Sequence, residues 1–452
     1  MPVKHLSPNR MIFLSFAAAI AVGTIALRWK GGLPDAPVAW IDALFTSTSA
    51  TCVTGLVVKD TGTEFSLAGQ LIILGLIQVG GLGILTLSSW FLLLLGHRPT
   101  LSERTALADS FGLPAQLTVR RLLGRVVLYT LTIEALGAAL LFVRFAFSYS
   151  PGYAFYAAVF HSIAAFCNAG FSVFKNNLAD YPNDPLVNLV IMGLIIFGGL
   201  GFYVLEELRA GVMARLKGQR FRWSLHLRVV LVTTACLIVG GAAAIYALES
   251  VNPYDTAPWY GRIFPAFFQS VTARTAGFNT VDMTLLSNGT ALVLILLMFI
   301  GASPGSTGGG IKTTTFATLV ALLVARWRGR TDAEMFGRRV PANLVAKSLA
   351  VTVGFLIGYL ICVMILQVTE LGGKAPQTVR GAFLDMTFET ASAFGTVGLS
   401  LGVTPFLTVA GKLAIVLAMF TGRVGPLAFA LTLVGERQGL SYRYPEERIL
   451  IG

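Results

Sequence analysis

Three observations predict an all-α polytopic membrane protein built from four parallel repeats. Of 452 residues, 55% are hydrophobic and only 12% charged, against roughly 25% charged in soluble domains, and mean hydropathy is +0.74. The apolar content falls in separated blocks, such as MIFLSFAAAIAVGTIAL from Met11 and LVLILLMFI from Leu292, long enough to be, or to belong to, membrane spans. Finally, a glycine-containing turn returns four times: TCVTGL (51–56), FCNAGF (166–171), ARTAGF (273–278) and FGTVGL (394–399). Their glycines Gly55, Gly170, Gly277 and Gly398 are spaced 115, 107 and 121 residues apart, close to a quarter of the chain. A near-constant period with a glycine in phase is the mark of internal duplication.

Each repeat reads as a long apolar run, a short amphipathic run, the turn and a second long run. The first runs cover 11–28, 122–143, 229–248 and 348–368, and the last cover 67–95, 186–205, 290–325 and 408–434. At about 1.5 Å per residue each can cross a hydrocarbon layer of about 30 Å, which predicts eight transmembrane helices. The short runs Trp40–Ala50, Phe155–Ala165, Ile263–Thr272 and Phe383–Ala393 have about three turns and reach halfway. They are expected as re-entrant pore helices, tolerated at membrane depth where irregular backbone faces protein or water.

Net charge is +12, a balance that in a soluble protein could mean nucleic acid. Position argues otherwise. Half of the 34 basic residues lie in the connections 97–125, 209–228 and 326–347, with further ones near the N-terminus (Lys4, Arg10) and in the tail (Arg437, Arg443, Arg448). The positive-inside rule puts all of these, and both termini, in the cytoplasm. All repeats then share one orientation, which implies pseudo-fourfold symmetry about the membrane normal rather than inverted halves. The boundaries follow: repeats over 1–96, 122–207, 229–326 and 348–435, cytoplasmic linkers over 97–121, 208–228 and 327–347, and a cytoplasmic tail over 436–452. No small-residue cleavage site follows the first block, so it is read as a retained span rather than a signal peptide.

A half-helix whose carbonyl end points to mid-membrane offers partial negative charge to a cation. A turn with carbonyls facing the axis can replace an ion's hydration shell. Glycine accepts the backbone angles and close approach this needs. The turns carry no carboxylate, and a hard cation does not require one.

Segment 301–315, GASPGSTGGGIKTTT, interrupts the third inner run with Gly301, Pro304, Gly305, Gly308, Gly309 and Gly310, a density that breaks a helix. It is not a phosphate loop, because Ile311 separates Gly310 from Lys312 and no strand precedes it. Arg423 lies in FTGRVGPLAF, where Gly422, Gly425 and Pro426 predict another break. A charge this deep normally faces a cavity or a partner.

The fourth turn, GTVGL, resembles the TVGYG filter of potassium channels, with Leu399 at the tyrosine's place. The full set of turns, with the glycine-rich break, resembles the Trk/Ktr/HKT superfamily of potassium transporters, most nearly the membrane subunit of bacterial Ktr systems. The likeness runs from the first span to the ending YPEERILIG. About ten residues precede the first span, where the Trk branch carries an additional helix pair. The resemblance implies that Gly55, Gly170, Gly277 and Gly398 line a selectivity filter, with carbonyls of Thr54, Ala169, Ala276, Val397 and their neighbours binding potassium. It implies that the loop with Gly305, Ser306, Thr307, Gly308, Gly309, Gly310 and Lys312 is an intramembrane gate. Arg423 would be a positive barrier that pairs with this loop. It further implies potassium as the transported ion, sodium as an activator in some relatives, a homodimer with one pore per subunit, and a cytoplasmic ring of a separate nucleotide-binding regulatory subunit. The basic linkers 209–228 and 326–339 are docking surfaces for that ring or attract anionic lipid. Because the four turns differ, one dominant ion site is expected rather than a stack of equivalent ones.

Arg274 is expected to brace the filter from behind, with Glu389 as its countercharge or acting on the outer cavity. Glu134 is read as a buried, satisfied carboxyl; a carboxylate-coupled secondary transporter that uses it is the alternative reading. His161 is structural, and the thiols of Cys52, Cys167, Cys236 and Cys362 suggest neither a disulfide framework nor a zinc site. No catalytic constellation appears, so an enzyme is not expected. No nucleic-acid partner or organic cofactor is expected either.

Overall fold

The computed structural model describes residues 8–34, 36–82, 119–252 and 258–425. The tail expected over 436–452, nearly all of the linker over 97–121, residues 83–95 of the first inner run, and Pro426 with the rest of the fourth lie outside these residues.

The helices run in one order through the chain: α1 Pro8–Lys30, α2 Trp40–Thr51 and α3 Leu67–Gly81; then α4 Val119–Phe145, α5 Pro151–Phe166, α6 Pro185–Leu200 and α7 Phe202–Leu216. There follow α8 Leu225–Glu249, α9 Ile263–Thr272, α10 Asn288–Phe299 and α11 Thr313–Trp327, and last α12 Ala342–Leu371, α13 Ala382–Gly395 and α14 Val409–Val424. Among the described residues, α1, α4, α8 and α12 hold windows long and apolar enough to cross a membrane. Leu128, Leu131 and Leu136 on α4, and Leu356, Met364 and Val368 on α12, stand exposed. That aliphatic exterior suits lipid rather than water.

In three quarters the short helix is pinned to its long helix by one serine. Ser47 Oγ donates to Ile20 O at 2.8 Å, Ser162 Oγ to Glu134 O at 2.7 Å, and Ser270 Oγ to Ile238 O at 2.8 Å. A glycine on the long helix makes room each time: a β-carbon at Gly137 would lie 2.7 Å from Ser162 Oγ, one at Gly241 2.5 Å from Ser270 Oγ, and one at Gly23 would strike Ser47 Oγ. Small residues let helices approach closely in a bilayer.

Each inner helix starts on a capping side chain tied to the far end of its long helix. Ser66 Oγ accepts from Gly69 N and donates to Gly31 O, at 3.1 and 3.2 Å. Asp184 Oδ1 accepts from Leu186 N and Val187 N, while Oδ2 accepts from Arg144 Nε at 2.5 Å. Ser287 Oγ accepts from Thr290 N at 3.2 Å and donates to Glu249 Oε1 at 3.1 Å. Thr408 Oγ1 accepts from Gly411 N at 3.2 Å and donates to Glu370 Oε1 at 2.6 Å. Such a cap is worth about 1 kcal/mol. Here it also fixes where the turn re-enters the inner helix.

The inner helices differ from the expected runs in two places. Residues 186–205 are not one straight span: α6 and α7 meet at a 100° bend on Gly201, whose φ is +91°. A β-carbon there would lie 2.5 Å from Pro304 O, and Phe202 N donates to Gly305 O at 3.0 Å. The chain therefore turns to meet the glycine-rich loop. In the last quarter, α14 continues through Gly422 and stops at Val424, with Gly425 at φ +95°. Gly422 is a close-approach position instead, because a β-carbon there would strike Phe394 O. The linker before α12 carries a small hairpin, Glu334–Met335 paired with Arg338–Arg339, around Phe336 and Gly337 at φ +49° and +71°.

Candidate functional site

The four short helices end at the four turns, and the turns meet. A β-carbon on Gly55 would lie 2.5 Å from Ala169 O, one on Gly170 2.7 Å from Ala276 O, one on Gly277 2.5 Å from Val397 O, and one on Gly398 against Thr54 O. Each glycine therefore abuts the carbonyl of the residue before the next glycine in chain order, and the fourth contact returns to the first quarter. The result is a closed ring. Thr54, Ala169, Ala276 and Val397 are fully buried in it.

All four glycines have positive φ, from +69° to +98°. Two residues before each stands another left-handed residue, and these are not glycines: Val53 (+56°), Asn168 (+61°), Thr275 (+77°) and Thr396 (+50°). Such conformations are rare and strained for β-branched side chains. Four in phase mark a backbone held for a purpose. Backbone bonds into the helix ends hold it: Thr54 N to Ser49 O at 2.8 Å, Ala169 N to Ala164 O at 2.7 Å, Val397 N to Ser392 O at 2.8 Å and Ala276 N to Thr272 O at 2.9 Å. The last spans four residues where the others span five, so the third turn is one residue tighter. Ser49 and Ser392 also accept from Gly55 N and Gly398 N at 3.1 and 2.9 Å.

Because α2, α5, α9 and α13 all end here, their carbonyl ends give the ring a negative potential that attracts a cation. On one side the ring opens into a cavity of about 580 Å³ touched by all four glycines and by Asp60, Lys175 and Asp282.

On the other side lies the loop between α10 and α11. A β-carbon on Gly308 would strike Thr275 Oγ1, and one on Gly309 would strike Thr396 Oγ1, so the loop sits directly against the left-handed residues of the ring. Gly301 N donates to Ile311 O at 2.8 Å and Ile311 N to Phe299 O at 3.2 Å, which closes the loop at its base. Thr307 N donates to Gly198 O at 3.2 Å, and its hydroxyl to Phe166 O at 3.3 Å. Ser306 Oγ donates to Ser303 O at 2.6 Å, and Lys312 Nζ to Gly308 O at 2.7 Å. Gly305 and Gly310 take φ of +68° and +69°. Arg423, 7% exposed, donates from Nη1 to Thr307 O and from Nη2 to Gly80 O at 2.5 Å. It thereby joins the loop to α3.

The structure separates Arg274 from Glu389. The Glu389 carboxylate accepts from Ser400 Oγ and, at 2.9 Å, from Thr404 Oγ1. Arg274 is buried beside Ile195, Ile196, Gly199, Ile238 and Val271. Among the described residues its Nε has no hydrogen-bond partner. Glu134 accepts from Gln78 Nε2 at 3.3 Å and from Cys167 Sγ at 3.7 Å, behind the second turn rather than on the ring. His161 is buried between Ala157 O, 2.7 Å from Nδ1, and Ser172 Oγ, 2.8 Å from Nε2.

Three features escaped the reading of the sequence. The four left-handed residues are a valine, an asparagine and two threonines, so the one feature common to all four is the glycine two positions later. The capping residues Ser66, Asp184, Ser287 and Thr408 each precede an apolar run, a signal that capping rules could have caught. Gly23, Gly137 and Gly241 recur at nearly the period of the turns, and that spacing was visible.

Comparison with known proteins bears on this geometry. The family model TrkH, described as a cation transport protein, matches residues 11–441. The chain belongs to this family of cation transport proteins. The Ktr system potassium uptake protein B of Bacillus subtilis (strain 168) is 39% identical over 99% of this chain and 97% of its own length. The protein of the same name from Vibrio alginolyticus is 38% identical over 98% and 94%. The crystal structure of the potassium transporter TrkH from Vibrio parahaemolyticus matches with a TM-score of 0.74 over 96% of this chain and 86% of that one, at 18% identity. The fold is thus the helical fold of a membrane transporter. The bend at Gly201 and the loop beneath the ring belong to a member of that family.

Proposed function

We propose that this protein carries potassium into the cell across the cytoplasmic membrane, through the glycine ring acting as a selectivity filter. The observation that carries the reading is the cyclic closure of Gly55, Gly170, Gly277 and Gly398 onto the carbonyls of Ala169, Ala276, Val397 and Thr54. Four helix ends and four carbonyl-bearing turns around one axis favour a dehydrated monovalent cation. Potassium uptake by relatives 39% and 38% identical along nearly the whole length supports potassium as that cation. Membrane potential supplies about 2.3 kcal/mol per ion per 100 mV.

In this reading the four repeats, with the boundaries given above, surround one pore of eight crossing helices. The 301–315 loop beneath the ring is the gate, with Gly305, Ser306, Thr307, Gly308, Gly309, Gly310 and Lys312 at its centre and Arg423 as its latch. The chain works as a homodimer with a cytoplasmic nucleotide-binding ring, as the family resemblance implies, with sodium as an activator as in some relatives; the name Ktr system, borne by its relatives, supports only that further components take part. The carboxylate-coupled alternative is weakened by the position of Glu134, off the ring and bonded to Gln78 and Cys167.

The test is rescue of a potassium-uptake-deficient bacterium at limiting potassium, joined to rubidium flux in proteoliposomes. Rescue together with rubidium influx that follows an imposed potential supports the reading. Flux driven by a proton gradient and abolished by Glu134→Gln would favour the alternative.

A further inference from the structure

Counting back from the residue whose carbonyl receives the turn's amide, Ser49, Ala164, Thr272 or Ser392, one position on each short helix lies three residues earlier. It is occupied by Thr46, His161, Gln269 and Glu389, all 0 to 1% exposed. Two residues after the filter glycines come Val57, Ser172, Asn279 and Ser400. In the second quarter His161 Nε2 lies 2.8 Å from Ser172 Oγ. In the fourth, Glu389 accepts from Ser400 Oγ and from Thr404 Oγ1. Among the described residues the other two quarters lack this link. Val57 has no polar side chain, and Thr46 Oγ1 finds no partner among the described residues; Asn279 Nδ2 turns to Val281 O at 3.0 Å, and both polar atoms of Gln269 likewise find no partner among the described residues.

We propose that His161 and Glu389 are positioning residues that brace the filter through Ser172 and Ser400, so that one diagonal of the ring, rather than all four quarters equally, sets its discrimination between potassium and sodium. The inference rests on the filter reading above. The order of contacts around the ring puts the second and fourth quarters opposite each other, so the two braces hold one diameter. Each serine is itself locked on its own strand, Ser172 Oγ accepting from Phe174 N at 3.0 Å and Ser400 Oγ from Gly402 N at 2.9 Å. A side chain on the short helix is thereby connected to the backbone just beyond the ligand carbonyls. Where discrimination rests on cavity size, a smaller ion is rejected as far as the ring resists shrinking around it, and a hydrogen-bonded strut from behind supplies that resistance.

The experiment measures rubidium and sodium influx of the full-length protein in proteoliposomes. Ser172→Ala and Ser400→Ala are mild enough to keep the fold, and each is expected to raise the sodium-to-rubidium flux ratio about three- to tenfold, the factor equivalent to one lost hydrogen bond. Glu389→Ala should do the same, whereas Glu389→Gln, which keeps an acceptor oxygen, should restore the original ratio. Thr46→Val and Gln269→Leu should leave it unchanged. An unchanged ratio in both serine variants, while Gly277→Ala alters it, overturns the brace and leaves the filter standing. If Gly277→Ala also leaves the ratio unchanged, the filter reading itself falls. An equal rise with Thr46→Val overturns the diagonal.

Discussion

Arg423 and Thr307 are joined across 116 residues of sequence by a hydrogen bond from the guanidinium to a main-chain carbonyl. The same guanidinium holds Gly80 O on α3, so a buried cation fastens the loop beneath the ring to the first quarter. A charge-assisted bond of this kind is worth about 1.5–3 kcal/mol.

Arg423→Gln should therefore free the loop. Rubidium influx into proteoliposomes is expected to rise by about tenfold, the factor equivalent to about 1.4 kcal/mol, and deletion of residues 305–310 should produce a comparable rise. Unchanged influx from a correctly folded variant would make the arginine a purely architectural tie.

Gly277 and Gly218 separate backbone strain from crowding. Both have positive φ, +80° and +68°, but a β-carbon at Gly277 would meet Val397 O at 2.5 Å while one at Gly218 would meet nothing within 4 Å. Gly277→Ala should abolish growth at limiting potassium. Gly218→Ala, with about 1 kcal/mol of strain and open space around it, should support growth normally.

Along α3, Gly80 is wedged against Thr51 O, whereas Gly75 is exposed with nothing near it. Thermal-shift midpoints in detergent should fall for Gly80→Ala. For Gly75→Ala they should hold or rise, since alanine favours a helix by about 0.5–1 kcal/mol.

Lys412 Nζ lies 2.8 Å from Asp42 Oδ1, and both side chains are 13% exposed. This pair links α14 to α2, the seam where the fourth quarter meets the first. Asp42→Asn alone leaves an unmatched cation and should destabilise by about 3 kcal/mol. Adding Lys412→Met should recover much of that loss in the same thermal assay, and simple additivity of the two single changes would show that the pair carries no coupling.

Duplication left four glycines in phase, which made Gly55, Gly170, Gly277 and Gly398 legible as a set, and the fold brings them into one ring with Gly308 and Gly309 of the glycine-rich loop against it. What escaped notice had been recast chemically in each quarter. The link from long helix to inner helix is a backbone carbonyl for Ser66, an arginine for Asp184, and a glutamate for Ser287 and Thr408. The bend at Gly201 turns the chain onto Pro304 and Gly305, about a hundred residues away; its local signal, the cluster Gly198, Gly199 and Gly201, is a helix breaker that the expected straight run 186–205 passed over. The tighter third turn differs by a single hydrogen-bond register. Of the two roles left open for Glu389, the local one fits its partners: serine and threonine just beyond the fourth turn, rather than Arg274, satisfy the carboxylate.

Because the ring is written four times within one polypeptide, a point mutation disturbs a single quadrant. In a channel assembled from four identical chains the same change would be multiplied by four. Mild lesions here should therefore yield graded phenotypes, and each quadrant has been free to drift toward a separate duty.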